Sequence, residues 1–207
     1  MFDGLLIVIA LLLVLLNGFF VAAEFAIVKL RPTRIKSIVR RYAFRGKLLA
    51  KVHGDLDAYL SACQLGITLA SLGLGWIGEP AFARLLEPVF AGLGIDDPRW
   101  VHGISFFVAF FIISYLHIVV GELAPKSMAI RQTERLAIWT AAPLYMFYWS
   151  MYPAIWVLNK SANHLLRIVG LSAVHGHESY YSVEELKLIL RSSGMSGPTN
   201  KAEMRVL

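Results

Sequence analysis

The sequence predicts an all-α membrane protein: three transmembrane helices, a Pro-broken juxtamembrane helical belt and a cytoplasmic C-terminal helix. Three observations carry this reading. Hydrophobic residues make up 57% of the 207 and mean hydropathy is +0.61, against roughly 45–50% apolar in a soluble domain. The apolar excess lies in long blocks rather than in a two-residue or 3.6-residue pattern, as lipid-facing segments require. Charge is segregated: residues 29–53 carry nine Lys or Arg and no Asp or Glu, in a chain of net charge +6.

The first apolar block, Leu5 to Val28, is long enough to span a bilayer at about 1.5 Å per residue. Val21-Ala22-Ala23 resembles a signal-peptide cleavage site. The preceding stretch has Asp3 and no cation, however, and apolarity continues beyond Ala23, so a retained span is the better reading. The basic run that follows reads as a cytoplasmic loop under the positive-inside rule. A nucleic-acid role is set aside because membrane-length blocks flank the run on both sides. Ile35, Ile38, Val39 and Tyr42 among the cations make an amphipathic stretch suited to lie along anionic headgroups.

The second block, Asp57 to Leu93, is too long for one straight span. Gly73, Gly75, Gly78 and Pro80 predict a helix to about Trp76 followed by a short second helix. A turn at Gly94-Ile95-Asp96-Asp97-Pro98 leads to a third block, Val101 to Val120, which ends at Gly121-Glu122-Leu123-Ala124-Pro125-Lys126. With the nine-cation loop inside, the N-terminus is expected outside, the turn near Asp96, Asp97 and Arg99 outside, and Lys126 and Arg131 inside.

The fourth block, Leu136 to Leu158, has basic flanks on both sides and is broken by Pro143 and Pro153. Tyr145, Tyr148, Trp149, Tyr152 and Trp156 give it an interfacial composition. A re-entrant or surface helix pair is favoured over a fourth span, which places the tail in the cytoplasm. Ser182-Val183-Glu184-Glu185 forms a capping box opening a helix, Glu184 to Leu190. The expected organisation is a transmembrane domain over 1–170 and a cytoplasmic linker helix over 171–207, leading towards a further soluble domain. The single cysteine, Cys63, rules out an internal disulfide.

Ionisable groups inside a membrane are costly and point to function. Counting helical rise from the cytoplasmic ends, Glu24 and Gln64 lie about 10 Å up and Asn17 and Ser71 about 20 Å up, while Glu122 lies about 6 Å above Lys126. Glu24, Gln64 and Glu122 can thus converge on one cavity open to the cytoplasm. Two carboxylates with amide, hydroxyl and carbonyl oxygens suit a hard divalent cation; magnesium takes six oxygens at about 2.1 Å. Carbonyls freed by helix breaks at Gly18, Gly66 and Gly121 to Pro125 are further candidates. Cys63, His102 and His117 form no zinc or copper pattern. Each residue also has a structural reading. Glu24 suits an interfacial ion pair, Asn17, Gln64 and Ser71 suit interhelical hydrogen bonds, and His117, one turn above Glu122, suits packing or proton relay.

Three motifs in order, Asn17-Gly18-Phe19-Phe20-Val21-Ala22-Ala23-Glu24-Phe25, Gln64-Leu65-Gly66-Ile67-Thr68-Leu69-Ala70-Ser71 and Gly121-Glu122-Leu123-Ala124-Pro125-Lys126, resemble the CorC/cyclin M family over about residues 3–190. The resemblance implies a homodimeric magnesium transporter rather than an enzyme, seated in the bacterial inner membrane among its lipids and binding no nucleic acid. It implies Mg²⁺ export, with Na⁺ entry as the coupling flux, and ATP acting only through cytoplasmic CBS modules that these 207 residues do not encode. Carried onto this chain, it implies Glu122 and Gly121 as ion-site residues, joined by Asn17, Val21 and Glu24 of the first motif and Gln64 and Ser71 of the second. Animal relatives carry Ser at the position of Val21, which here offers only its backbone carbonyl. An alternative class remains open: a Mg²⁺-sensing membrane scaffold that regulates another transporter.

Overall fold

The computed structural model describes residues 2–92 and 97–170. The expected helix Glu184 to Leu190 and residues Gly94 to Asp96 of the predicted turn lie outside the described residues. The chain divides into two units, Met1–Lys160 and Ser161–Leu207, and the packing below is that of the first.

Among the described residues seven α-helices follow in order: α1 (Phe2–Lys29), α2 (Pro32–Gly54), α3 (Leu56–Gly92), α4 (Pro98–Leu116), α5 (Ala124–Arg131), α6 (Thr133–Ser150) and α7 (Tyr152–Ile168), with a π-helical turn His117–Leu123 joining α4 to α5. Among the described residues three stretches are long and apolar enough to cross a membrane, Gly4–Lys29, Leu56–Phe90 and Pro98–Arg131. The protein is an all-α integral membrane protein. Large apolar side chains on all three stretches remain exposed, among them Leu15, Trp76 and Phe107, as lipid contact allows.

Two expectations about the spans are corrected. α3 is one continuous helix of 37 residues with Pro80 and Pro88 inside it, not two helices broken near Trp76. A backbone group released by a break has no water to bond in the hydrocarbon region, so the helix persists through its glycines and prolines. Gly73 and Gly78 are also used for close packing: a Cβ at Gly78 would lie 2.9 Å from Ile113 Cδ1 and 3.4 Å from Ala10 Cβ. The third span likewise does not break at Gly121 to Pro125. It widens into the π turn and continues to Arg131.

α2 is sharply bent. Tyr42 and Ala43 leave helical geometry, with Ala43 at φ 39° and ψ −106°. Gly46 packs directly on the backbone of Ile38 and Val39, so the chain doubles back on itself. Ile38, Leu49 and Val52 are buried in a core shared with α1, α3 and α6. The amphipathic face expected to lie on headgroups is therefore turned partly into the protein, while Tyr42 and Phe44 stay exposed. A positive φ is unfavourable for any residue with a Cβ and free for glycine. Ala43→Gly is accordingly expected to raise stability by about 1 kcal/mol, read as a higher thermal midpoint in detergent; a lower midpoint would contradict the strain.

The inner core is built from Ala23, Ala26 and Ile27 of α1 against Ala62 and Cys63 of α3 and Ala137, Ala141 and Leu144 of α6. Small residues at these positions let helix backbones approach closely. Pro143 sits inside α6 and Pro153 in the first turn of α7. α6 is not among the stretches that meet the length and hydropathy of a span. Its aromatic residues stack on those around them: Tyr148 lies 4.6 Å from Tyr59, and Trp149 5.6 Å from Tyr152. Arg45 of α2 sits 4.6 Å over the Trp139 ring, binding the basic helix to this belt.

Candidate functional site

Where α1, α3 and the third span meet, polar side chains replace apolar ones. Asn17 is fully buried. Its Nδ2 donates to the Gly121 carbonyl at 3.0 Å, and its Oδ1 accepts from Ser71 Oγ at 3.3 Å. Ser71 Oγ also lies 3.2 Å from His117 Nε2, and that nitrogen is 3.6 Å from Glu122 Oε1. One connected chain of polar groups thus runs from α1 through α3 to the π turn.

The local sequence explains the geometry. Pro125 has no N–H, so in an α-helix it would leave the Gly121 carbonyl without its donor, and the proline ring would clash with that carbonyl. Widening to i→i+5 bonds relieves the clash; the Ala124 N–H indeed reaches back to Val119 O. The Asn17 amide then supplies a donor to the Gly121 oxygen. Glycines permit the approach. A Cβ at Gly18 would lie 3.0 Å from Pro125 Cγ and 3.2 Å from Val120 O, and one at Gly121 would lie 3.0 Å from His117 Cδ2 and 3.3 Å from Asn17 Nδ2. Ala10, Val14, Leu74 and Ile113 form a second, apolar cluster.

These polar groups stand among the apolar side chains of the membrane-spanning stretches. Their arrangement answers to a sequence match: the cyclin M transmembrane N-terminal domain aligns with residues 8–203. The chain belongs to the cyclin M family. Its relatives include UPF0053 protein YugS of Bacillus subtilis (strain 168), 46% identical over 190 residues, which cover 92% of this chain and 44% of that protein. UPF0053 protein YhdT of the same organism is 48% identical over 193 residues, 93% of this chain and 42% of its own length. Uncharacterized protein MT1889 of Mycobacterium tuberculosis is 33% identical over 191 residues, 92% of this chain and 54% of its own. The chain spans about half the length of these relatives, or less.

In this cyclin M domain the residues singled out by sequence separate into two groups. Asn17, Ser71, Gly121 and Glu122 are brought together, linked through His117. Val21 is buried in the packing of α1. Glu24, two helical turns from Asn17, is half-buried with Lys126 as its charged neighbour, and Lys126 stacks 4.5 Å over Phe25. Gln64 is exposed, with its carbonyl accepting from Thr68 Oγ1 at 2.8 Å. The observed meeting point is therefore the layer of Asn17 and Ser71, deeper than the layer of Glu24 and Gln64. His117 is the member that sequence reasoning assigned to packing or proton relay rather than to the ion site. It stands five positions before Glu122, which in an α-helix puts the two on different faces; the π turn brings them into line.

Among the described residues no three His, Cys, Asp or Glu side chains gather as a metal site. The oxygens present are one carboxylate, one amide, one hydroxyl and one peptide carbonyl. A hard cation that retains some of its water suits such a set, and a soft metal does not.

Proposed function

We propose that this cyclin M domain is the membrane part of a secondary transporter that exports Mg²⁺, with Na⁺ entry as the coupling flux. The observation that supports this is the convergence of three spanning helices on Asn17, Ser71, His117, Gly121 and Glu122. Asn17 and Ser71 alone would serve as interhelical hydrogen bonds; it is the ionisable Glu122 and His117 joined to them that point to an ion pathway. Glu122, with its side chain 48% exposed, is open to an arriving ion and supplies the charge. Asn17, Ser71 and the Gly121 carbonyl offer neutral oxygens that replace part of the hydration shell. Val21 adds its backbone carbonyl. Glu24 and Gln64, nearer the basic inner end, form the cytoplasmic approach rather than the terminal site.

In this reading the N-terminus lies outside and α2, with its cations, lies at the inner face of a bacterial plasma membrane. Two copies assemble as a homodimer in the bilayer. ATP acts through cytoplasmic CBS modules of a longer protein, and the membrane domain performs no enzymatic step.

The test is transport by the purified protein in vesicles loaded with a Mg²⁺-sensitive dye. Protein-dependent Mg²⁺ movement, faster with an opposing Na⁺ gradient, is the expected result. Mg²⁺ movement that ignores Na⁺ would remove the coupling. Well-folded protein that moves no Mg²⁺ would overturn transport and favour a Mg²⁺-sensing scaffold.

A further inference from the structure

A cleft of about 430 Å³ opens between the inner end of α1, the start of α2 and the start of α6, with Lys29, Arg31, Arg34 and Glu134 among its walls. Three cations face one carboxylate there. That carboxylate is already engaged: Arg34 Nε donates to Glu134 Oε1 at 2.6 Å. Among the described residues Lys29 and Arg31 have no carboxylate within ion-pair distance. The cleft therefore carries two uncompensated positive charges in a concavity of the size that holds a small ligand.

Its place in the fold selects the ligand. Lys29 is the last residue of the first spanning stretch, so the cleft sits where the apolar span gives way to the basic loop. Leu30 lines the cleft, and Val28, the residue before Lys29, is exposed, so an acyl chain leaving the cleft would run along the apolar end of the span. A ligand suited to this position has an anionic head and a hydrocarbon body. We infer that the cleft holds the phosphate of an anionic phospholipid headgroup, with Lys29 and Arg31 as its principal contacts. Such a lipid ties the inner end of α1, the helix that carries Asn17, to the start of α6. This inference is independent of what the protein transports.

The experiment titrates the full chain in detergent with phosphatidylglycerol, phosphatidylcholine or inorganic phosphate, reading retained lipid by native mass spectrometry and stability by thermal midpoint. Two variants are compared with the natural chain: Lys29→Gln with Arg31→Gln in the cleft, and Lys36→Gln with Arg40→Gln on the same basic run outside it. Phosphatidylglycerol is expected to bind and raise the midpoint. The cleft variant should bind it roughly 30-fold more weakly, from the attraction of about two surface cations, and the outside variant should bind it nearly as the natural chain does. Equal weakening in both variants would replace the site with diffuse surface attraction and overturn the inference. Equal binding of phosphatidylcholine, or the same midpoint rise from inorganic phosphate alone, would overturn it as well.

Discussion

Gly46→Ala is expected to destabilise the protein by about 3 kcal/mol, the upper part of the range for overpacking. The added Cβ would lie 2.7 Å from Ile38 O and 2.7 Å from Val39 Cα. Both obstacles are backbone, and the bend at Tyr42 and Ala43 holds the two halves of α2 against each other. Relief would require opening that bend and withdrawing Ile38, Leu49 and Val52 from the core. Gly66 makes the useful contrast. A Cβ there would lie 2.5 Å from the Phe20 ring, a shorter distance but to side-chain atoms, which can shift without opening a bend in the backbone. Gly66→Ala should therefore cost less than Gly46→Ala. Thermal midpoints of the two variants in one detergent decide the matter; equal or reversed effects would contradict the packing described for α2.

Asn17→Leu is expected to cost about 2 kcal/mol, near the middle of the range for a buried polar group left unpaired. The substitution keeps roughly the same volume but removes the donor to the Gly121 carbonyl and the acceptor for Ser71. Interhelical hydrogen bonds in membranes average well under 1 kcal/mol because the separated helices find other partners. Here the carbonyl belongs to a turn in which Pro125 offers no N–H, so the loss of the Asn17 amide costs more. For a chain of this size the shift corresponds to roughly 4–8 °C in thermal midpoint. Ser71→Ala should cost less, because the Asn17 amide then keeps its bond to Gly121. A midpoint for Asn17→Leu within a degree of the natural chain would show that the network does not hold the three helices together.

The spans were legible in the sequence because lipid enforces long apolar runs, and the belt because its aromatics, prolines and basic flanks occur together. Less legible was how the backbone passes through its irregular places. Gly73, Gly75, Gly78 and Pro80 carry the signature of a break, yet α3 continues because a broken backbone in lipid has nothing to bond. The bend of α2 falls at Tyr42 and Ala43, neither of them a residue type that announces a turn; its only trace is Gly46, three residues on, whose small size the fold-back requires. At the site, Pro125 marked an irregularity but not its form. Depth estimates from straight-helix rise grouped Glu24 with Glu122, whereas the π turn links Glu122 through His117 to Ser71 and Asn17. A five-residue His-to-Glu spacing just before a proline was the available signal. It becomes readable only once the wider turn is known.

The most direct test of the proposed ion site is Mg²⁺ flux in proteoliposomes for Glu122→Gln beside Glu24→Gln. Both substitutions remove one carboxylate and keep its shape. Glu122 is the charge at the meeting of the three spans, and Glu24 lies two turns of α1 from Asn17, beside Lys126. Flux is expected to fall at least tenfold in Glu122→Gln, equivalent to about 1.4 kcal/mol or more of lost ion stabilisation, and to fall only a few-fold in Glu24→Gln. Undiminished flux in Glu122→Gln, with the protein folded and reconstituted as the natural chain is, would contradict the assignment of the site to the π turn.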